Sequence, residues 1–154
     1  MADLDEIYNT RILELAGTIS RGERLAHPDA SATAHSKMCG STVTVDLKMQ
    51  GGRIMDYGQT VKACLLGQAA AAVVAREIVG TTAAEFHIVA QQMRAMLKSG
   101  APAPTGRWAD LAVLEPVRNY KARHASTLLA FDAVEEAMAE IAASQAGASP
   151  ATVS

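Results

Sequence analysis

The sequence predicts an α+β fold: a small antiparallel sheet of about three strands packed against about five helices. Three features lead to it. "STVTVDLKM" at 41–49 places Val43, Val45, Leu47 and Met49 in alternation with Thr42, Thr44, Asp46 and Lys48, the period-2 pattern of a strand with one wet face. "LLGQAAAAVVAREIVG" from Leu65 is alanine-rich, free of proline and closed by Gly80, as a helix requires. Hydrophobic residues make up 49% of the chain and aromatic ones only 4%. Aliphatic side chains and closely packed helices must therefore supply the core.

Leu4, Ile7, Ile12 and Leu15 recur at near-helical spacing ahead of Gly17, so residues 3–16 read as an amphipathic helix. "GTISRGERLAHPDASATAH" follows and reads as loop, being rich in Gly, Ser, Thr, Pro and Asp. The strand at 41–49 ends in "QGG", which turns the chain into "RIMDYGQTVKA", a returning strand with β-branched and aromatic content. Such a hairpin puts Cys39, which precedes the outgoing strand, and Cys64, which follows the returning one, at the same end of the sheet. Cys64 also falls at the start of the alanine-rich helix, where unpaired N–H groups and a partial positive charge favour a thiolate.

"TTAAEFHIVAQQMRAMLKSG" predicts a further helix, with Glu85 three residues after Thr82 in capping-box register and a stop at Gly100. After the loop "GAPAPTG", "RWADLAVLEPVRNYKA" reads as a short helix interrupted near Pro116. "RHASTLLAFDAVEEAMAEIAA" reads as a closing helix with Leu128, Leu129, Phe131 and Val134 turned inward. One domain is expected over residues 1–143, with residues 144–154 as a disordered tail.

A net charge of -2 offers no electrostatic footprint for nucleic acid or an anionic membrane, and both classes of partner are set aside. The acidic start "MADLDEIYNT" does not resemble a secretion signal, and no apolar run is long enough to span a bilayer, so a cytoplasmic protein is expected. Two cysteines in a reducing compartment point to metal chemistry, sulfur chemistry or core packing rather than a disulfide. Taken alone, thiols at this separation read more readily as small buried hydrophobes than as ligands.

The order of motifs changes that balance. "MCGS" before a strand, "KACLLGQAAAAVV" at a helix start and "RHASTL" at the head of the last helix together resemble the U-type iron-sulfur cluster assembly scaffolds. That family includes IscU, SufU and the N-terminal domain of NifU. The likeness runs from about residue 4 to 140, and "YNTRILELA" with "LEPVRNYKARHASTLLAFDAV" looks most like its SufU side. The resemblance implies a SufE/NifU-like fold, no turnover chemistry of the chain's own, and a site at Cys39, Cys64 and His124. It implies a cysteine desulfurase as sulfur donor and iron-sulfur proteins as acceptors. Two positions depart from the family pattern: Ser41 stands where it has aspartate, and Ala125 where it has a third cysteine. "LEPVR" at 114–118 also departs from the family's chaperone-recognition segment.

Three donors suffice for Zn or Fe(II) with water or His35 as a fourth ligand. A [2Fe-2S] cluster ordinarily takes four protein ligands, so His124 and a further donor, or a second copy of the chain in a homo-oligomer, would have to complete the set. Ser41 is a hydrogen-bond donor to a thiolate or a strand-edge group. His27 and His87 read as structural or exposed. Three functions remain open: a scaffold carrying iron or a cluster; a persulfide acceptor or zinc-bound sulfurtransfer partner, favoured by Ala125; and a degenerate scaffold fold acting as a binding module or subunit of a larger assembly, favoured by Ser41 and Ala125 together.

Overall fold

Strands β1 (Ala30–His35), β2 (Thr42–Gln50) and β3 (Arg53–Lys62) form an antiparallel sheet in the order β1-β2-β3. The structure is a computed structural model and describes residues 9–18, 22–37 and 40–153, with side chains to residue 144. The β2–β3 hairpin turns on Gly51 and Gly52, both with positive φ, as a two-residue turn matched to strand twist demands. The strand β1 corrects the sequence reading, which assigned "ASATAH" to loop. Its small residues carry little strand propensity, but pairing with β2 from Ala30↔Leu47 to His35↔Thr42 supplies the missing partner.

Helix α1 (Thr10–Gly17) starts at Asn9, whose Oδ1 accepts from the Ile12 N–H at 3.0 Å. The part of the expected helix before Asn9 lies outside the described residues. Helix α2 (Leu65–Glu77) buries Leu66, Gly67 and the whole run Ala69–Ala75, the close packing expected of an alanine-rich helix. Helix α3 (Ala83–Ser99) is capped by Thr82, which accepts from the Glu85 N–H, and ends at Gly100 in the left-handed region.

Residues Gly106–Asn119 form a long 3-10 segment rather than an interrupted α-helix. The reason is legible in hindsight: Trp108, Leu111, Leu114 and Val117 are the buried residues, spaced by three, and three residues per turn puts them on one face. Pro116 is accommodated inside it. A second short 3-10 turn, Lys121–Arg123, leads into α4 (His124–Val153). The backbone of α4 is helical through residues expected above as a tail. Leu128, Leu129, Phe131 and Val134 are buried, as its pattern predicts.

The helix α4 packs on β1, β2 and α2, with α3 and the short 3-10 turn at its side, while the long 3-10 segment packs on α2 and α3. Phe86 of α3 joins these layers, stacking on Phe131 and meeting Trp108 edge-on, each with ring centroids 5.8 Å apart. Asp110 accepts from both Arg11 and Arg76, tying the 3-10 segment to α1 and α2. Arg11 first, with Arg76, holds the Asp110 carboxyl below the usual carboxylate range. Among the described residues no helix is long and apolar enough to cross a membrane.

Asp46 departs from expectation. Its side chain is 0% exposed, although the alternation assigned it to a wet face. Gly58 is its neighbour on β3, and a Cβ there would lie 2.3 Å from the Glu23 carbonyl oxygen. The segment around Arg24 thus crosses the sheet at its one bare position and covers Asp46. Arg24 binds the carboxylate through Nε at 2.6 Å and through its second nitrogen at 2.9 Å, while the Leu25 N–H and the Ser31 hydroxyl donate to it. Burial alone would push this carboxyl up. The Arg24 guanidinium, Ser31 and Leu25 outweigh it and hold the group below its ordinary range.

Because folding lowers the pKa of Asp46, its contribution is complete above the unfolded value of about 3.9 and is lost as pH falls below it. Asp46→Ala should cost about 2–3 kcal/mol near neutral pH, since it strips partners from Arg24, Ser31 and the Leu25 amide. Urea titrations across pH 3 to 7 should show a flatter acid limb for Asp46→Asn than for the parent. An unchanged acid limb would remove Asp46 as its source.

Candidate functional site

The sheet register fixes which ends of the chain meet. Thr42 pairs with both His35 and Lys62, so Ser41 and the Ala63–Cys64 step leave the sheet at the same end. The Ser36–Ser41 connection is closed by the Ser36 N–H donating to the Ser41 carbonyl at 2.9 Å and the Gly40 N–H donating to the Ser36 carbonyl at 2.8 Å. Gly40 has φ +73, a conformation its lack of Cβ makes cheap. Cys39, the first of the expected ligands, lies outside the described residues. His35 is exposed at the end of β1, and Ser41 is buried in this connection.

Cys64 is the N-cap of α2, half-buried and with its side chain making no cap hydrogen bond. Its sulfur instead lies 3.5 Å from Ser126 Oγ in the first turn of α4. Ser126 Oγ also donates its one proton to the Arg123 carbonyl at 3.2 Å, so toward Cys64 it accepts from the thiol S–H. Two helix N-termini therefore converge at the thiol. Their approach is permitted by Gly67: a Cβ there would sit 2.8 Å from Ala63 Cβ and 2.9 Å from the Ser126 carbonyl oxygen. Ser126 was not singled out from sequence. The one available signal was its place next to Ala125, where the resembling family has its third cysteine.

His124 opens α4 and is 9% exposed. Its Nε2 lies 3.1 Å from the Val117 carbonyl and 3.2 Å from the Arg118 carbonyl. Carbonyl oxygens only accept, so Nε2 carries the proton. In the neutral ring Nδ1 is then the acceptor. This is the arrangement that orients metal-ligating imidazoles, whose second nitrogen donates to a carbonyl or carboxylate.

Of the three expected ligands, the structure thus brings Cys64 to the head of α4, where its sulfur meets Ser126. Among the described residues, no group of three or more His, Cys, Asp or Glu side chains could hold a metal ion. His87 is on α3 and faces Glu135 at 3.0 Å, away from these groups.

No family model matches the chain. It is 26% identical over 137 residues to the iron-sulfur cluster assembly scaffold protein IscU of Thermotoga maritima, covering 88% of this chain and 94% of that protein. The crystal structure of the N-terminal part of a nitrogen-fixing NifU-like protein from Brucella abortus superimposes with a TM-score of 0.88 at 56% identity. The match covers 90% of this chain and 96% of that one. SufU from Fervidobacterium islandicum AW-1, a SUF-system scaffold protein, gives a TM-score of 0.78 at 20% identity over 88% of this chain and 98% of its own, a likeness of fold.

Gly67→Ala should force the starts of α2 and α4 apart and cost about 1–3 kcal/mol by overpacking. Thermal unfolding checks the stability, and alkylation of Cys64 in a Cys39→Ser background checks the local change. An alanine variant with parental stability and parental alkylation rate would show that the contact does not constrain the thiol.

Proposed function

This chain belongs to the NifU-like family of U-type iron-sulfur cluster assembly scaffold proteins, the family of IscU and SufU, and on that premise we propose that it receives sulfur and iron as cargo and passes them to acceptor proteins. The observation that carries the proposal is the 56% identity to the Brucella NifU-like protein over nearly the whole of both chains. Cys39, Cys64 and His124 hold the cargo in this reading, the chain performs no turnover of its own, and it works in the cytoplasm as one domain.

The chemistry asks for a nucleophilic thiol that is reachable and can let go. Half-buried Cys64, at a helix N-terminus and with its side chain making no cap hydrogen bond, meets both demands. A cysteine desulfurase bearing a persulfide supplies the sulfur. The Cys64 thiolate attacks the outer sulfur, a new S–S bond forms on Cys64, the donor's S–S bond breaks, and the donor cysteine leaves as thiolate. His124, with Nε2–H committed to two carbonyls, offers Nδ1 to an iron or zinc ion. Ala125 at the third-cysteine position lowers the number of thiolates in one chain and favours Fe or Zn carriage, or a second copy completing a cluster, over a four-thiolate site.

Protein purified without oxygen and given iron, cysteine, a desulfurase and a dithiol reductant to take persulfide sulfur to sulfide should acquire iron with acid-labile sulfide, and Cys39→Ser and Cys64→Ser should each reduce it to background. Stoichiometric zinc without sulfide would instead establish the sulfurtransfer partner. Retention of metal in both cysteine variants would remove the site.

A further inference from the structure

A cavity of about 710 Å³ lies beside the first turns of α4, lined from α3, the 3-10 segments and α4, with His124 and Ala125 at its edge. Leu97 and Leu128 give it an apolar floor, and Arg94, Lys98, Arg118 and Lys121 stand around it. One carboxylate, Asp132, is also present, and it is bound by Arg94 at 2.8 Å. Arg94 is committed further to Glu135 at 2.9 Å. Arg118 has only an exposed contact to Glu115 at 3.4 Å, and Lys98 and Lys121 have no ion-pair partner among the described residues. Three cations thus face a groove whose own carboxylate is already spent, on a chain with net charge -2.

We propose that this groove docks an acidic segment of a partner protein, with carboxylates on Lys98, Arg118 and Lys121 and an apolar side chain against Leu97 and Leu128. The distribution of the cations argues for a segment over a compact anion. Lys98 comes from α3, Arg118 from the long 3-10 segment and Lys121 from the short one, so three separate elements supply the cations, and Leu97 and Leu128 share the lining with them. No Phe, Tyr or Trp lines the groove, so it lacks the stacking platform of a single-stranded nucleic-acid site. Ala125 lines it too, and its neighbour Ser126 touches Cys64, so a partner seated there lies one residue along the helix from the thiol's contact. The inference goes beyond carriage of metal and sulfur and does not depend on it.

The test uses the full chain and a fluorescent peptide alternating glutamate and leucine, with serine–leucine and lysine–leucine peptides of equal length as controls. The acidic peptide should bind with an affinity that falls as salt rises, and Lys98→Glu with Lys121→Glu should weaken it by about tenfold or more. The milder pair Lys98→Gln with Lys121→Gln should weaken it in the same direction, and serves if charge reversal impairs folding. Equal binding of the three peptides, undiminished binding by a folded double variant, or displacement by citrate at the concentration at which unlabelled peptide displaces it, would overturn the proposal. Metal and sulfide content should be unchanged in both pairs, so loss of peptide binding and loss of cargo are read separately.

Discussion

The approach of two helix N-termini at Gly67 and Ser126 sets the geometry on which the site depends. Cys64 caps α2, and Ser126 lies in the first turn of α4. With no Cβ at Gly67, the Ser126 carbonyl comes within the space a side chain would have filled. Helix packing at ordinary distances of 8–10 Å between axes is set by the side chains at the contact, and a glycine shortens it. The buried alanine and valine run from Ala69 to Ala75 continues the same logic, so that α2 is buried along most of its length by its neighbours. A low aromatic content is thus a condition for the site as well as for the core.

A second constraint holds the sheet to its covering loop. Buried Asp46 needs Arg24, Ser31 and the Leu25 amide, and Arg24 reaches it only because Gly58 leaves the neighbouring strand bare. A buried carboxylate without those partners would be strongly unfavourable, so the segment before β1 is placed by electrostatics where it has little apolar surface to bury. β1 then pairs along β2 over six residues. The side-chain alternation in β2 was readable from sequence, but the burial of Asp46 was not. That depended on Arg24, 22 residues before it in sequence.

What could be read from sequence follows from the range of the interactions. The Thr82 cap, the Gly51–Gly52 turn and the inward face of α4 are local, and their residues declare them. The strand β1 is held by its partner, and its three alanines with Ser31 and Thr33 carry no apolar alternation of their own. The 3-10 segment did carry a pattern, Trp108, Leu111, Leu114 and Val117, which a search for 3.6-residue periodicity passes over. In the site, Cys64 at a helix start was legible because helix caps are local. Its partner Ser126 is 62 residues away and depends on the Gly67 contact.

The first turn of α4 divides the work of the site by rotation alone. Successive residues on an α-helix point about 100° apart. His124 and Ala125 line the basic groove, while Ser126 faces the thiol of Cys64. The imidazole is held between these directions by the Val117 and Arg118 carbonyls at the end of the long 3-10 segment. Those carbonyls are available because the chain changes helix type there: Asn119 ends one 3-10 segment, Lys121–Arg123 forms another, and α4 begins at His124. The three-residue spacing of Trp108, Leu111, Leu114 and Val117 fixes that segment to the core and so fixes the ring. A pattern of core burial therefore decides which imidazole nitrogen meets the Val117 and Arg118 carbonyls.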